Sequence, residues 1–180
     1  MKQRLFVSIN LSDEVKDYLF DLQKELNLDS KIKWGAKKNL HITLKFLGYI
    51  EEENIDKIIT ILSKVEFNCF EFKLKSLGVF DKSRPRVLYV DIEPSEDVIN
   101  LQSKIENILS KLFLVDRRFS AHITLGRIKL LKDKISFLGK LEGFKVKAVK
   151  ESIRAFYLMR SELRKDGPIY NLVKEFRLKE

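Results

Sequence analysis

Residues 39–48 read Asn39-Leu40-His41-Ile42-Thr43-Leu44-Lys45-Phe46-Leu47-Gly48, and 81 residues after His41 the same tetrapeptide returns as His122-Ile123-Thr124-Leu125. The chain has two histidines in 180 residues, and each heads a copy of this motif. It has three threonines, and two of them, Thr43 and Thr124, lie two places after a histidine. Residue types this scarce do not fall into one spacing twice through composition alone, so the repeat reads as a duplicated functional unit. The alternation predicts a strand in each copy. Residues i and i+2 of a strand share a face, so His41 projects with Thr43 and His122 with Thr124. Leu40, Ile42, Leu44 and Phe46 are then expected on the other face, filling a core, as are Ala121, Ile123 and Leu125.

Outward from the first motif, residues 4–9 alternate and are rich in branched and aromatic side chains, which predicts a strand. Ser12 offers a helix N-cap with Asp13 and Glu14 in the first turn, and Val15, Leu19, Leu22 and Leu26 follow at helical spacing. The motif strand is expected to stop at Gly48. A second helix is predicted over 51–65, acidic at its start and carrying Ile55, Ile58, Ile59 and Leu62. Strands over 69–79 and 86–92 follow, joined by a polar loop with Arg84-Pro85-Arg86. Ser95 opens a third helix whose apolar face is Val98, Leu101, Ile105, Ile108, Leu109 and Leu112. The second motif forms a strand over 121–128. A short helix is read within 130–141, where the pattern is ambiguous. Strands over 144–158 and 169–178 flank the turn Lys165-Asp166-Gly167-Pro168. Strands alternating with a few helices predict an α+β fold with mostly antiparallel sheet.

At 180 residues the length suits one domain, or two small lobes sharing a core. Seven glycines and three prolines leave no room for a flexible linker. The lone cysteine excludes an internal disulfide and a Cys-based zinc cage, and Cys69, within an apolar stretch, reads as a small core residue. No apolar run suits a transmembrane helix, and the N-terminal one ends too soon for a signal peptide, so a soluble, cytoplasmic protein is expected. A net charge of +9 favours an anionic partner, nucleic acid being the commonest, although a basic balance also serves as a solubilising surface.

Two imidazoles suit chemistry in which one group accepts a proton and another donates one near neutral pH. Moving a phosphodiester between a nucleophile and a leaving oxygen has that requirement. The Thr43 and Thr124 hydroxyls and a cation can hold the non-bridging oxygens as charge shifts, and Arg127 is the natural cation, since a guanidinium matches phosphate in a bidentate way. Strict alternation sets Arg127 on the face opposite His122, so the strand must bulge near Gly126 for it to reach the site.

Competing readings are thinner. A metal hydrolase would need closely spaced ligands, and no metal site is expected; a Gly-x-Ser-x-Gly elbow is absent, as is any glycine-rich phosphate loop for ATP or NAD. An RNA-binding sheet could stack bases on Phe6, Phe80 or Phe119, against which stands ordinary core packing. That non-catalytic module would explain the charge, but not the duplicated motif.

With both motifs in hand, the sequence resembles the two-histidine phosphoesterase superfamily, and within it the RNA 2′,3′-cyclic phosphodiesterases, also called 2′–5′ RNA ligases. The resemblance covers nearly the whole chain. It rests on Arg4-Leu5-Phe6-Val7-Ser8-Ile9, the 39–48 stretch, Arg84-Pro85-Arg86-Val87-Leu88-Tyr89 and Phe119-Ser120-Ala121-His122-Ile123-Thr124-Leu125-Gly126-Arg127, with a fainter match at Ser161, Gly167 and Tyr170. It implies a bilobal α+β fold, a single two-lobed domain over 1–180 with two pseudo-symmetric antiparallel sheets flanked by helices around a central cleft. The implied reaction opens an RNA 2′,3′-cyclic phosphate, or a small cyclic nucleotide, to a 2′-phosphate without metal or cofactor. Reversible, ATP-independent 2′–5′ ligation is the alternative within the same site. His41 and His122 would be the acid–base pair, Thr43, Thr124 and Arg127 the phosphate-binding residues, and the enzyme a monomer that engages no membrane. His122 is taken as the base and His41 as the acid, although the symmetric repeat does not itself decide this.

Overall fold

The computed structural model describes residues 1–26, 28–115, 118–165 and 167–180. Strand β1 (Lys2–Asn10) leads into α1 (Asp13–Glu25), β2 (Ser30–Trp34) and, after a 3₁₀ turn at Lys37–Asn39, β3 (His41–Glu51). A second 3₁₀ turn, Glu52–Asn54, precedes α2 (Ile55–Leu62) and β4 (Phe70–Val79). Then come β5 (Val87–Glu93), α3 (Glu96–Leu109), β6 (His122–Leu131), α4 (Lys134–Gly143), β7 (Lys150–Ile153), β8 (Ala155–Arg164) and β9 (Gly167–Arg177). One sheet has the order β3-β1-β8-β9 and the other β2-β6-β5-β4-β7, with antiparallel pairing between the named strands throughout. The fold is the expected bilobal α+β class.

The two motif strands are built alike. On β1 and β3, Asn10 faces His41, Ser8 faces Thr43, Val7 faces Lys45 and Phe6 faces Phe46. On β5 and β6, Asp91 faces His122, Tyr89 faces Thr124, Leu88 faces Gly126 and Val87 faces Arg127. Every residue of the second set lies 81 positions after its counterpart. Each ladder skips one residue at the same place, Leu44 in one and Leu125 in the other. A skipped residue is a β-bulge, and beyond it the alternation of side chains reverses. Leu125 and Gly126 are accordingly both buried in succession, and Arg127 returns to the face of His122 as the sequence reading required. The same bulge corrects the reading of Phe46: it leaves the core face and is 67% exposed.

A carbonyl taken out of the ladder needs another donor. Leu125 O accepts Gly35 N–H at 2.8 Å and the Gln23 Nε2 amide at 3.0 Å, and Gln23 is buried on α1. Gly126 is set by close approach, since a Cβ there would stand 2.7 Å from Ile32 Cγ2 and 3.1 Å from Lys33 O. Bare backbone thus lets β2 lie against β6, which is how a strand from the first half of the chain enters the second sheet.

Helix α1 buries Val15, Leu19 and Leu22, each worth about 1.5–3 kcal/mol on full burial. Ser12 caps it as expected, accepting Val15 N–H at 3.3 Å, and its hydroxyl donates to Glu151 on β7 at 2.6 Å. Helix α3 packs on α2 and on the back of β3. There Lys45 donates to both Glu106 oxygens at 2.8 and 2.9 Å and to Leu114 O at 2.9 Å, while Gln102 donates to Glu106 at 3.1 Å. Cys69 is half-buried against the core rather than inside it.

Several expectations shift. Gly48 does not end the motif strand; with φ +76° it sits where the β1–β3 register slips, and the strand runs on to Glu51. The second helix is shorter than read, because residues 52–54 form a 3₁₀ turn and α2 ends at Leu62. Leu112 lies beyond α3 and is exposed. The ambiguous 130–141 stretch divides into the end of β6 and α4. The strand read over 144–158 has no regular structure over 144–149 and breaks at Arg154, where the chain leaves β7 in one sheet for β8 in the other. Periodicity cannot report such a change of sheet, since both pieces alternate. In the turn between β8 and β9, Asp166 lies outside the described residues. Among the described residues no helix is long and apolar enough to cross a membrane.

Candidate active site

The cleft between the sheets has a volume of about 810 Å³, and His41, Thr43, His122, Thr124 and Arg127 all line it. Residues separated by 81 positions are therefore brought to one place. The cleft also recruits Arg4, Lys33, Lys38 and Arg164, so with Arg127 five basic side chains line it and, among the described residues, no carboxylate does. A concave site lined by one sign of charge concentrates a ligand of the opposite sign.

Each imidazole is oriented in the same way. His41 Nδ1 lies 2.6 Å from Asn39 O and His122 Nδ1 lies 2.7 Å from Ser120 O, a backbone carbonyl two residues back in both cases. A carbonyl only accepts, so Nδ1 carries hydrogen and donates, which assigns the tautomer and leaves Nε2 to accept or release a proton. Thr43 Oγ1 lies 2.8 Å from His41 Nε2 and donates to it when that ring is neutral. Aromatic rings brace both imidazoles: Phe6 at 5.2 Å and Tyr170 at 5.3 Å beside His41, Phe80 at 4.7 Å and Tyr89 at 5.4 Å beside His122. Phe6 is buried, which makes it a wall for His41 instead of a base-stacking surface. Phe80 is exposed and Phe119 half-buried.

Burial pushes both imidazoles below the ordinary histidine range, opposed in each by the backbone carbonyl on Nδ1. The fold thus favours neutral rings. The associated stability is fully present above the ordinary value of 6.5 and is lost as pH falls through the lowered one. The thermal midpoint is expected to fall between about pH 7 and about pH 5, and to fall less steeply in a His41→Asn, His122→Asn double variant. Equal slopes in the two proteins would refute this.

Sequence reasoning missed Phe46, Arg4, Lys33, Lys38 and Arg164 as site residues. Phe46 was within reach, because it is the 81-residue counterpart of Arg127 and shares its bulge. Arg4 lies two residues before Phe6 on β1, and its guanidinium donates to Ser161 Oγ at 3.4 Å. The other three carry no local signal.

Fold and site together define a two-histidine phosphoesterase. The chain belongs to the LigT-like phosphoesterase family, whose sequence profile matches residues 9–89 and again 90–170, one match for each motif. The RNA 2′,3′-cyclic phosphodiesterase of Archaeoglobus fulgidus is 32% identical over 96% of this chain and 99% of its own length. The protein of that name from Methanocaldococcus jannaschii is 30% identical, with coverage of 96% and 99%. Among solved structures, TT0787 of Thermus thermophilus superposes with a TM-score of 0.80 at 25% identity, covering 98% of each chain. Escherichia coli LigT in complex with 3′-AMP superposes with a TM-score of 0.82 at 21% identity over 100% of both chains, a likeness of fold.

Proposed function

We propose that this chain is an RNA 2′,3′-cyclic phosphodiesterase that hydrolyses the cyclic phosphate to a 2′-phosphate. The observation that carries this reading is the pair of imidazoles, each with Nδ1 tied to a carbonyl so that Nε2 is the nitrogen that exchanges protons, on one cleft whose lining charges, among the described residues, are all positive. One Nε2 takes a proton from the attacking water and the other protonates the departing O3′. With substrate bound the Thr43 hydroxyl turns from His41 Nε2 to a non-bridging oxygen, Thr124 holds the other, and Arg127 balances the charge that grows on them. This scheme assigns every proton and charge to side chains of the chain itself. The relatives named for this activity, matched along nearly their whole length, support the same reaction.

The reading includes a single two-lobed domain acting as a monomer in the cytoplasm. The single domain is supported by β2 of the first half being built into the second sheet, and the monomer by one chain lining the cleft. The test is incubation with a 2′,3′-cyclic mononucleotide and a cyclic-ended oligonucleotide in excess EDTA, resolving 2′- from 3′-monophosphate. Clean 2′-phosphate is expected. No turnover of either substrate, or turnover that EDTA abolishes, would overturn the reading.

A further inference from the structure

The β1–β3 ladder slips twice. Beyond the bulge at Leu44 it also skips Leu47, between the Phe6–Phe46 and Leu5–Gly48 pairs, where Gly48 takes φ +76°. Phe6 and Arg4 share a face of β1, so their partners Phe46 and Tyr49 share one too, although they are three residues apart. It is the cleft face, since Arg4, Phe6 and Phe46 line the cleft. Tyr49 stands just beyond them at the mouth. It is 66% exposed and, among the described residues, its side chain makes no hydrogen bond or ring contact.

Opposed residues of an antiparallel pair bring their Cβ atoms to about 4.5–5.5 Å, so Arg4 and Tyr49 reach into the same space. Arg4 donates one N–H to Ser161 Oγ at 3.4 Å and, among the described residues, has no carboxylate partner, which leaves most of its donors for a ligand. The next pair outward on this face, Lys2 and Glu51, is closed on itself as an ion pair at 3.3 Å. The strip of exposed ring and unpaired cation therefore ends at Tyr49 and Arg4. In the second half the equivalent positions, 81 residues on, are Leu130 and Pro85, with neither a charge nor an aromatic ring. The feature belongs to one side of the cleft.

We propose that Tyr49 and Arg4 form a second nucleotide subsite for the residue on the 5′ side of the cyclic-ended nucleotide, its base stacked on Tyr49 and the phosphate joining the two nucleotides held by Arg4. This rests on the phosphodiesterase reading above, and it names what tells an RNA end from a free cyclic mononucleotide. Substrate chemistry sets the direction. A 2′,3′-cyclic phosphate occupies both O2′ and O3′ of the terminal ribose, so the strand continues only through O5′. Any further phosphate that meets the protein lies on the 5′ side.

Spacing sets the form of the strand. Phe46 and Tyr49 face residues two apart on β1, a separation of about 6.8 Å along an antiparallel strand. The rise between stacked nucleotides is about 3.4 Å, half of that. A base thus reaches Tyr49, from a nucleoside lying in the cleft as far as Phe46, in an extended and unstacked strand. Single-stranded RNA is bound in that form by aromatic side chains, with cations along its backbone.

The test compares a 2′,3′-cyclic mononucleotide, a cyclic-ended dinucleotide and the same dinucleotide with an abasic 5′ residue. Wild type is expected to show kcat/KM about 5- to 150-fold higher for the intact dinucleotide than for the abasic one, the usual effect of one base stacked on an aromatic ring. Tyr49→Ala should lose that ratio while turning over the mononucleotide as wild type does, and Tyr49→Phe should keep it. Calorimetry with the 2′-phosphate-ended dinucleotide gives a readout that needs no turnover. There Tyr49→Ala should weaken binding by the same factor, and Arg4→Gln should lessen the slope of log Kd against log salt by about 0.7, the share of one phosphate on a single strand. Equal turnover of intact and abasic dinucleotides by wild type would overturn the subsite. So would a Tyr49→Ala variant that loses equally on mononucleotide and dinucleotide, or on neither. Failure of the wild-type protein on every substrate would instead overturn the phosphodiesterase reading, while calorimetry on wild type and Tyr49→Ala still decides the subsite.

Discussion

Alanine at His41 or at His122 is expected to lower turnover of a 2′,3′-cyclic phosphate by about 10²- to 10⁴-fold, the usual contribution of one positioned proton carrier. The fold should survive both changes. Each ring is half-buried at the wall of an open cleft, so the Asn39 and Ser120 carbonyls that lose a partner can turn to water. In the proposed reaction the pair hands on one proton per turnover, so the double variant should be scarcely slower than either single one, since residues acting as a unit are not additive. Turnover and thermal unfolding measured on the same preparations check this. A variant without a cooperative unfolding transition would mean that the histidine is structural, and a strictly multiplicative double variant would break the unit.

The second large effect lies behind β3. Lys45 and Glu106 are each about 4% exposed at the side chain, and Glu106→Ala would leave a buried ammonium with Leu114 O as its remaining partner. Removing one member of such a pair typically costs about 3–5 kcal/mol. Replacing both by apolar groups, as in Lys45→Met with Glu106→Leu, is expected to cost less than Glu106→Ala alone, because the attraction between two buried charges is largely spent on their desolvation. Gln102 and Leu114 O each lose a bond in the double variant, which sets a floor to its cost. Denaturant unfolding of wild type, Glu106→Ala and the double variant measures the difference. A double variant less stable than Glu106→Ala would show that this pair stabilises the fold outright.

Lys45 also marks a limit of reading the chain in one dimension. In the sequence it is one of 35 Lys and Arg residues and alternates onto the face of His41 and Thr43, yet it is buried on the other side because Glu106, 61 residues away, comes to meet it. Arg4, Lys33, Lys38 and Arg164 are likewise ordinary surface cations until the two sheets close on one cleft. The strand at 144–158 reads as one element for a related reason: alternation reports that a face is buried, but not which sheet buries it.

The sequence by itself determined the two His-x-Thr strands, the capped helix after Ser12 and the α+β class, because strand alternation, helical spacing and capping are properties of neighbours along the chain. It also held the 81-residue repeat, and with it the family. Only the tertiary structure decided that a bulge at Leu44 and at Leu125 returns Phe46 and Arg127 to the cleft, and that Asn10 and Asp91 stand beside the two histidines. Register, bulges and long-range charge pairs depend on which strand lies alongside. That is settled when the whole core packs, and no window of sequence contains it.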